Sequence, residues 1–92
     1  MRFDWDETKN QTNILKHGID FLDVIEMFDQ PMLTFLDQRV EYGEERWVAI
    51  GALKSAFAVV VYTERLGDVI RLISARRATR QEAKRYVAHI EN

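Results

Sequence analysis

The sequence predicts an α+β fold: two N-terminal helices, an antiparallel sheet of about four strands and a C-terminal helix. Three observations predict it. Both ends of the chain carry capped segments with helical spacing. The stretch from Met32 to Arg76 switches to runs rich in β-branched and aromatic residues. The turns between those runs are too short for parallel crossovers, so the strands should pair as hairpins. With 92 residues, 47% of them hydrophobic and 30% charged, the chain has the balance of one small folded domain spanning 1–92.

Residues 2–5 suit a short strand with Phe3 and Trp5 on one face. Asp6 can cap a first helix that runs to about Lys16 and is closed by Gly18 in the left-handed conformation. That helix is polar, and Ile14 and Leu15 are its expected apolar anchors. Asp20 can cap a second helix through about Asp29, which buries Phe21, Val24, Ile25 and Phe28, and Pro31 marks its exit. Strands follow at Met32–Leu36, Arg46–Leu53, Phe57–Glu64 and Val69–Arg76. They are joined by Glu41-Tyr42-Gly43-Glu44, Lys54-Ser55 and Leu66-Gly67-Asp68. The continuous apolar run from Phe57 to Tyr62 suits a central strand buried on both faces. Thr79 and Glu82 form a capping-box pattern ahead of a last helix, whose apolar stripe is Ala83, Tyr86, Val87 and Ile90.

The formal net charge of −2 argues at first against a nucleic-acid partner. The total conceals a polarity. Residues 1–45 hold eleven acidic and four basic side chains, whereas residues 46–92 hold nine basic and four acidic ones. A basic half of this kind points to an acidic partner. No apolar run approaches the roughly 18 residues of a membrane span, and the first residues lack the apolar core of a signal peptide. With no cysteine there is no disulfide, thiolate metal site or cysteine nucleophile. A cytoplasmic protein without metal or cofactor is the expectation. Phosphate-binding glycine loops, HExxH and a serine triad are all missing, and two histidines are too few for a typical zinc site.

Three groups of residues remain as candidates for chemistry. Lys16-His17-Gly18 closes the first helix, where cations complement the helix end and an imidazole can exchange protons near neutral pH. Glu45-Arg46-Trp47 opens a strand, with Arg46 on the opposite face from its neighbours. The third group is Arg71, Ser74, Arg76 and Arg77 on one strand, with Arg65 before it and Arg80 and Tyr86 after it. Strict alternation places Leu72, Ser74 and Arg76 on one face and Arg71, Ile73, Ala75 and Arg77 on the other. Guanidinium forks match phosphate oxygens. Tyr86 also belongs to the apolar stripe, where packing is the plainer role.

Three ordered blocks carry a family resemblance. They are Phe3-Asp4-Trp5-Asp6-Glu7 with Lys9, Asn13, Lys16-His17-Gly18-Ile19 and Phe21; then Glu45-Arg46-Trp47 with Ile50-Gly51; then Tyr62-Thr63-Glu64-Arg65, Arg71, Ile73-Ser74-Ala75-Arg76-Arg77-Ala78, Glu82 and Tyr86. Together they resemble the BrnT toxins. The resemblance implies a RelE-like fold and a ribonuclease toxin of a type II toxin–antitoxin system. It also implies neutralisation by a BrnA-like ribbon-helix-helix antitoxin, with operator DNA bound only through the complex. On that reading RNA is cleaved without metal by its own 2′-hydroxyl, and translation is inhibited. Lys16 or His17 would transfer protons, Arg46 and Arg76 would stabilise the phosphorane, and Tyr86 would contact the leaving group or a base. Arg65, Arg71, Arg77 and Arg80 would hold the RNA backbone. The rival readings are a non-catalytic RNA- or ribosome-binding module and a gyrase-targeting toxin on the same scaffold.

Overall fold

The computed structural model describes residues 1–39, 41 and 43–92, so Tyr42 of the first expected turn lies outside the described residues. The elements run β1 (Arg2–Asp4), α1 (Glu7–His17), α2 (Phe21–Val24), a 3-10 turn (Ile25–Asp29), β2 (Leu33–Leu36), β3 (Trp47–Leu53), β4 (Ala56–Arg65), β5 (Val69–Arg77) and α3 (Arg80–Glu91). The five strands form one sheet in the order β1-β5-β4-β3-β2. Strands β2 to β5 make the expected antiparallel meander. The sheet gains a fifth strand because β1 pairs with β5, and that pairing is parallel. Turn lengths could not reveal it, since the whole of α1–β4 lies between the two strands. The second helix is also shorter than its apolar spacing suggested, tightening into the 3-10 turn from Ile25 onward. Among the described residues no helix is long and apolar enough to cross a membrane.

The sheet is apolar on both faces. Against one face pack α2 and the 3-10 turn, whose Phe21, Val24 and Met27 meet Ala49, Val60 and Leu72. The approach is close at Gly51, where a Cβ would lie 2.9 Å from the Met32 Cγ. Against the other face packs α3, whose Tyr86 meets Val48, Ile50 and Val59.

Helix α1 sits at the sheet's edge, and its anchoring is not apolar. Leu15 is 87% exposed. The buried side chains of α1 are Asn10 and Asn13, three residues apart on one helix face. Asn10 Oδ1 accepts from the Phe21 backbone N–H at 2.9 Å. Asn13 Nδ2 donates to the Ile19 carbonyl at 2.9 Å, and its Oδ1 accepts from the Ala75 N–H at 3.0 Å. Strand β1 ends opposite Arg71, so beyond it the edge of β5 has no strand neighbour among the described residues. Asn13 takes over one of the donors left there.

A second feature places the side chains of β5. The pairing of β4 with β5 shifts register between Val61 and Tyr62, so Val61 faces Ser74 while Tyr62 faces Leu72. Ile73 is the extra residue of this bulge, and alternation flips across it. Leu72, Ala75 and Arg77 therefore share one face, and Arg71, Ser74 and Arg76 share the other. This corrects the assignment made from strict alternation.

Candidate active site

Cross-strand rows on the α3 side of the sheet build the floor of a cleft. Phe35 on β2 pairs with Val48 on β3, Val48 with Val61 on β4, and Val61 with Ser74 on β5; Val59 and Arg76 begin the next row. The cleft has a volume of about 470 Å³. Its polar rim is His17 from the end of α1, Asp37, Gln38 and Arg39 after β2, Ser74 and Arg76 from β5, and Glu82 from α3. His17 reaches the rim because Gly18, at φ 69°, ends α1 there and donates its N–H to the Ile14 carbonyl at 2.8 Å.

Arg76 and Glu82 form a bidentate pair, Nη1 to Oε1 and Nη2 to Oε2, both 2.8 Å. Nη1 also donates to the Arg77 carbonyl at 3.1 Å. Glu82 has a second duty, since its Oε1 accepts from the Thr79 N–H at 2.8 Å to complete the capping box of α3. The Arg76 hydrogen bond is the main reason that the Glu82 carboxyl is pulled down from 4.5 to about 2. The same bonds raise Arg76, against burial and the nearby charge of Arg39. Across the cleft, Asp37 and Arg39 form a second fork, with Nε to Oδ1 and Nη2 to Oδ2 at 2.9 Å each.

The pH dependence follows from Glu82. Its folded-state pKa lies below the ordinary value, so folding favours the carboxylate. That contribution is complete above about pH 5 and is lost as pH falls toward about 2. Glu82→Gln, which cannot titrate, is expected to lose less stability than the parent between those limits in acid-denaturation curves. The difference is modest because solvent screens a pair whose Arg76 side chain is 42% exposed.

The other sequence candidates scatter. Lys16 lies beside the cleft, in a shallow groove with Lys9 and Thr12 that shares His17 and Ser74 with it. Arg46 stands at the entry to β3, where its Nε is 3.5 Å from Glu44; Arg65 reaches the same carboxylate at 3.5 Å. Arg71 pairs with Asp4 at 3.0 Å. Arg77 points to the α1–α2 side, near Gly18 and Lys54, and Arg80 lies along the outer surface of α3 with Lys84. The structure thus brings His17 and Arg76 together and does not gather the remaining arginines into one surface.

Tyr86 is a core residue in this arrangement. It is buried, packs against Phe57 with ring centroids 5.5 Å apart, and donates its hydroxyl to the Pro31 carbonyl at 3.1 Å. Tyr86→Phe is expected to cost about 0.5–1.5 kcal/mol for the lost hydrogen bond and to leave activity unchanged. Thermal denaturation beside an RNA-cleavage assay checks both halves of that expectation.

Sequence reasoning missed Asp37 and Arg39, which lie in the acidic half of the chain and outside any regular element. It saw Glu82 as a cap and as a residue of the family pattern, with no role in the site. The one available signal was the Asp-x-Arg spacing directly after a strand, which is weak alone. Among the described residues no three His, Asp or Glu side chains converge as a metal-ligand group.

Comparison with known proteins bears on what this cleft does. Residues 5–82 match the family model described as the ribonuclease toxin, BrnT, of type II toxin–antitoxin systems. The fold is similar to that of the ribonuclease toxin BrnT of Brucella abortus, known from a crystal structure. The two chains are 33% identical and superpose with a TM-score of 0.70, over 87% of this chain and 99% of that one. No curated protein matches.

Proposed function

Because the chain belongs to the BrnT family of ribonuclease toxins of type II toxin–antitoxin systems, we propose that its cleft cleaves RNA without a metal ion. The ribose 2′-hydroxyl attacks the adjacent phosphorus, the bond to the 5′-oxygen breaks, and the products carry a 2′,3′-cyclic phosphate and a 5′-hydroxyl. The substrate brings its own nucleophile, so the protein supplies proton transfer and stabilisation of the phosphorane. His17 takes the 2′-hydroxyl proton, as the side-chain type suited to proton transfer near neutral pH, and the departing 5′-oxygen takes a proton from water. Arg76 meets the charge that develops on the phosphoryl oxygens. Lys16, in the adjoining groove, adds a cation beside the RNA strand.

The observation that carries this reading is the Arg76–Glu82 fork on the wall of a cleft whose rim also holds His17. A guanidinium fixed in advance costs no reorganisation when charge develops beside it. The family implies a protein antitoxin; in this reading it is of the BrnA-like ribbon-helix-helix type and covers the cleft, and operator DNA is bound only by the complex. In this reading the scaffold is a RelE-like one, and translation fails for want of intact message.

Incubating a defined RNA with purified protein in excess EDTA tests the mechanism. Primer extension should reveal discrete new 5′ ends, and a single 2′-deoxy substitution at a cleavage position should abolish that end alone. Cleavage that persists at the 2′-deoxy position refutes the mechanism. Growth inhibition without any cleavage would make the protein a non-catalytic binder, and loss of supercoiling activity would point to gyrase.

A further inference from the structure

Asp37 follows β2 with its carboxylate only 1% exposed. Withdrawing a carboxylate from water is costly, and such a pair adds little stability over apolar residues of the same volume. Its geometry nevertheless is elaborate. Beyond the two side-chain bonds from Arg39, the Asp37 Oδ1 accepts from the Arg39 backbone N–H at 3.2 Å. The Asp37 N–H donates to the Arg46 carbonyl at 2.8 Å and ties the segment to the strand beside it. The fork fixes the direction of a guanidinium whose side chain is otherwise 73% exposed and lines the cleft.

Arg76 is held in the same way on the opposite wall, by Glu82. The two cations are near enough that the charge of Arg39 opposes that of Arg76. Two like charges anchored by separate carboxylates on two sides of one cleft are both satisfied by a single anion between them. Resting on the ribonuclease reading of this cleft, we propose that Arg39 is a second phosphate-binding residue. With Arg76 it grips one RNA phosphodiester between two carboxylate-anchored guanidinium groups.

The test separates binding from cleavage. A short fluorescent 2′-O-methyl oligonucleotide, which lacks the nucleophile, is titrated with the full-length protein and followed by anisotropy. Arg39→Ala is expected to weaken binding at least fivefold and to make the log–log salt dependence shallower by about 0.7, the loss of one single-strand phosphate contact. Arg39→Lys keeps the charge without the fork and should recover only part of the affinity. Lys54→Ala removes one positive charge at the distant β3–β4 turn and should stay within twofold of the parent. A loss below fivefold in Arg39→Ala, or an equal loss in Lys54→Ala, overturns the proposal, and so does full affinity in Arg39→Lys. Circular dichroism confirms that each variant is folded. The matching all-ribose oligonucleotide serves as the second arm: a parent that binds but does not cleave it removes the ribonuclease reading and leaves the phosphate grip standing.

Discussion

Arg76→Ala is expected to lower RNA cleavage about 10²-fold or more while leaving the protein folded. Two effects combine. The guanidinium proposed to meet the phosphoryl charge is gone, and the Glu82 carboxylate it had paired with is left at the cleft to repel an anionic substrate. A double variant separates them. If repulsion were the whole effect, Arg76→Ala with Glu82→Ala would regain the parental rate; if Arg76 acts on the phosphate, the double variant stays slow. Single-turnover cleavage measures both, with circular dichroism as the control for folding. A folded Arg76→Ala protein that cleaves within threefold of the parent excludes Arg76 from the site. Arg76→Lys should fall between, since an ammonium keeps the charge but not the two-pronged geometry.

Asn13→Ala is expected to give the largest loss of stability for a side chain that does not itself line the cleft. One amide joins the Ile19 carbonyl and the Ala75 N–H, groups from parts of the chain far apart in sequence. Truncation leaves both backbone groups without this partner, and a buried unsatisfied group costs about 1–3 kcal/mol, so a loss of roughly 2–4 kcal/mol follows. For a domain of this size that lowers the melting temperature by roughly 10–25 °C. Chemical denaturation gives the free energy directly, and a loss under about 1 kcal/mol would mean that water replaces the amide. Because His17 stands one turn further along α1, the variant should also lose cleavage activity at temperatures where it is still folded.

How much of this was legible beforehand depended on whether a residue's role was local. The caps at Asp6, Asp20 and Thr79, the Gly18 terminator and all four strands of the meander stand where the sequence put them, because each rests on near neighbours. The β1–β5 pairing was not legible, since three residues near the start of the chain find a partner strand 67 positions later. Helix α1 misled because its inward face carries amides that bond to backbone, a pattern that apolar periodicity does not detect. The β5 arginines were legible as a group and not by face, because one bulge residue inverts the alternation. For the site, His17 and Arg76 were named in advance. The partner that orients Arg76 was not, because Glu82 had an adequate explanation as a cap; nor was the Asp37–Arg39 fork, which is defined by burial in three dimensions.

The order in which the cleft's parts occur along the chain has a consequence for the cell that makes this protein. His17 is translated early and Asp37 and Arg39 midway, whereas Arg76 and Glu82 come late, and so does the Ala75 N–H that fastens α1. A nascent chain on the ribosome therefore has neither Arg76 nor the strand that places His17 until β5 and α3 have emerged. On the proposed reading, the chain cannot cut RNA until β5 and α3 have emerged, because His17 and Arg76 meet in one cleft only then. An antitoxin that recognises the assembled cleft has nothing to bind before that point and an immediate target after it.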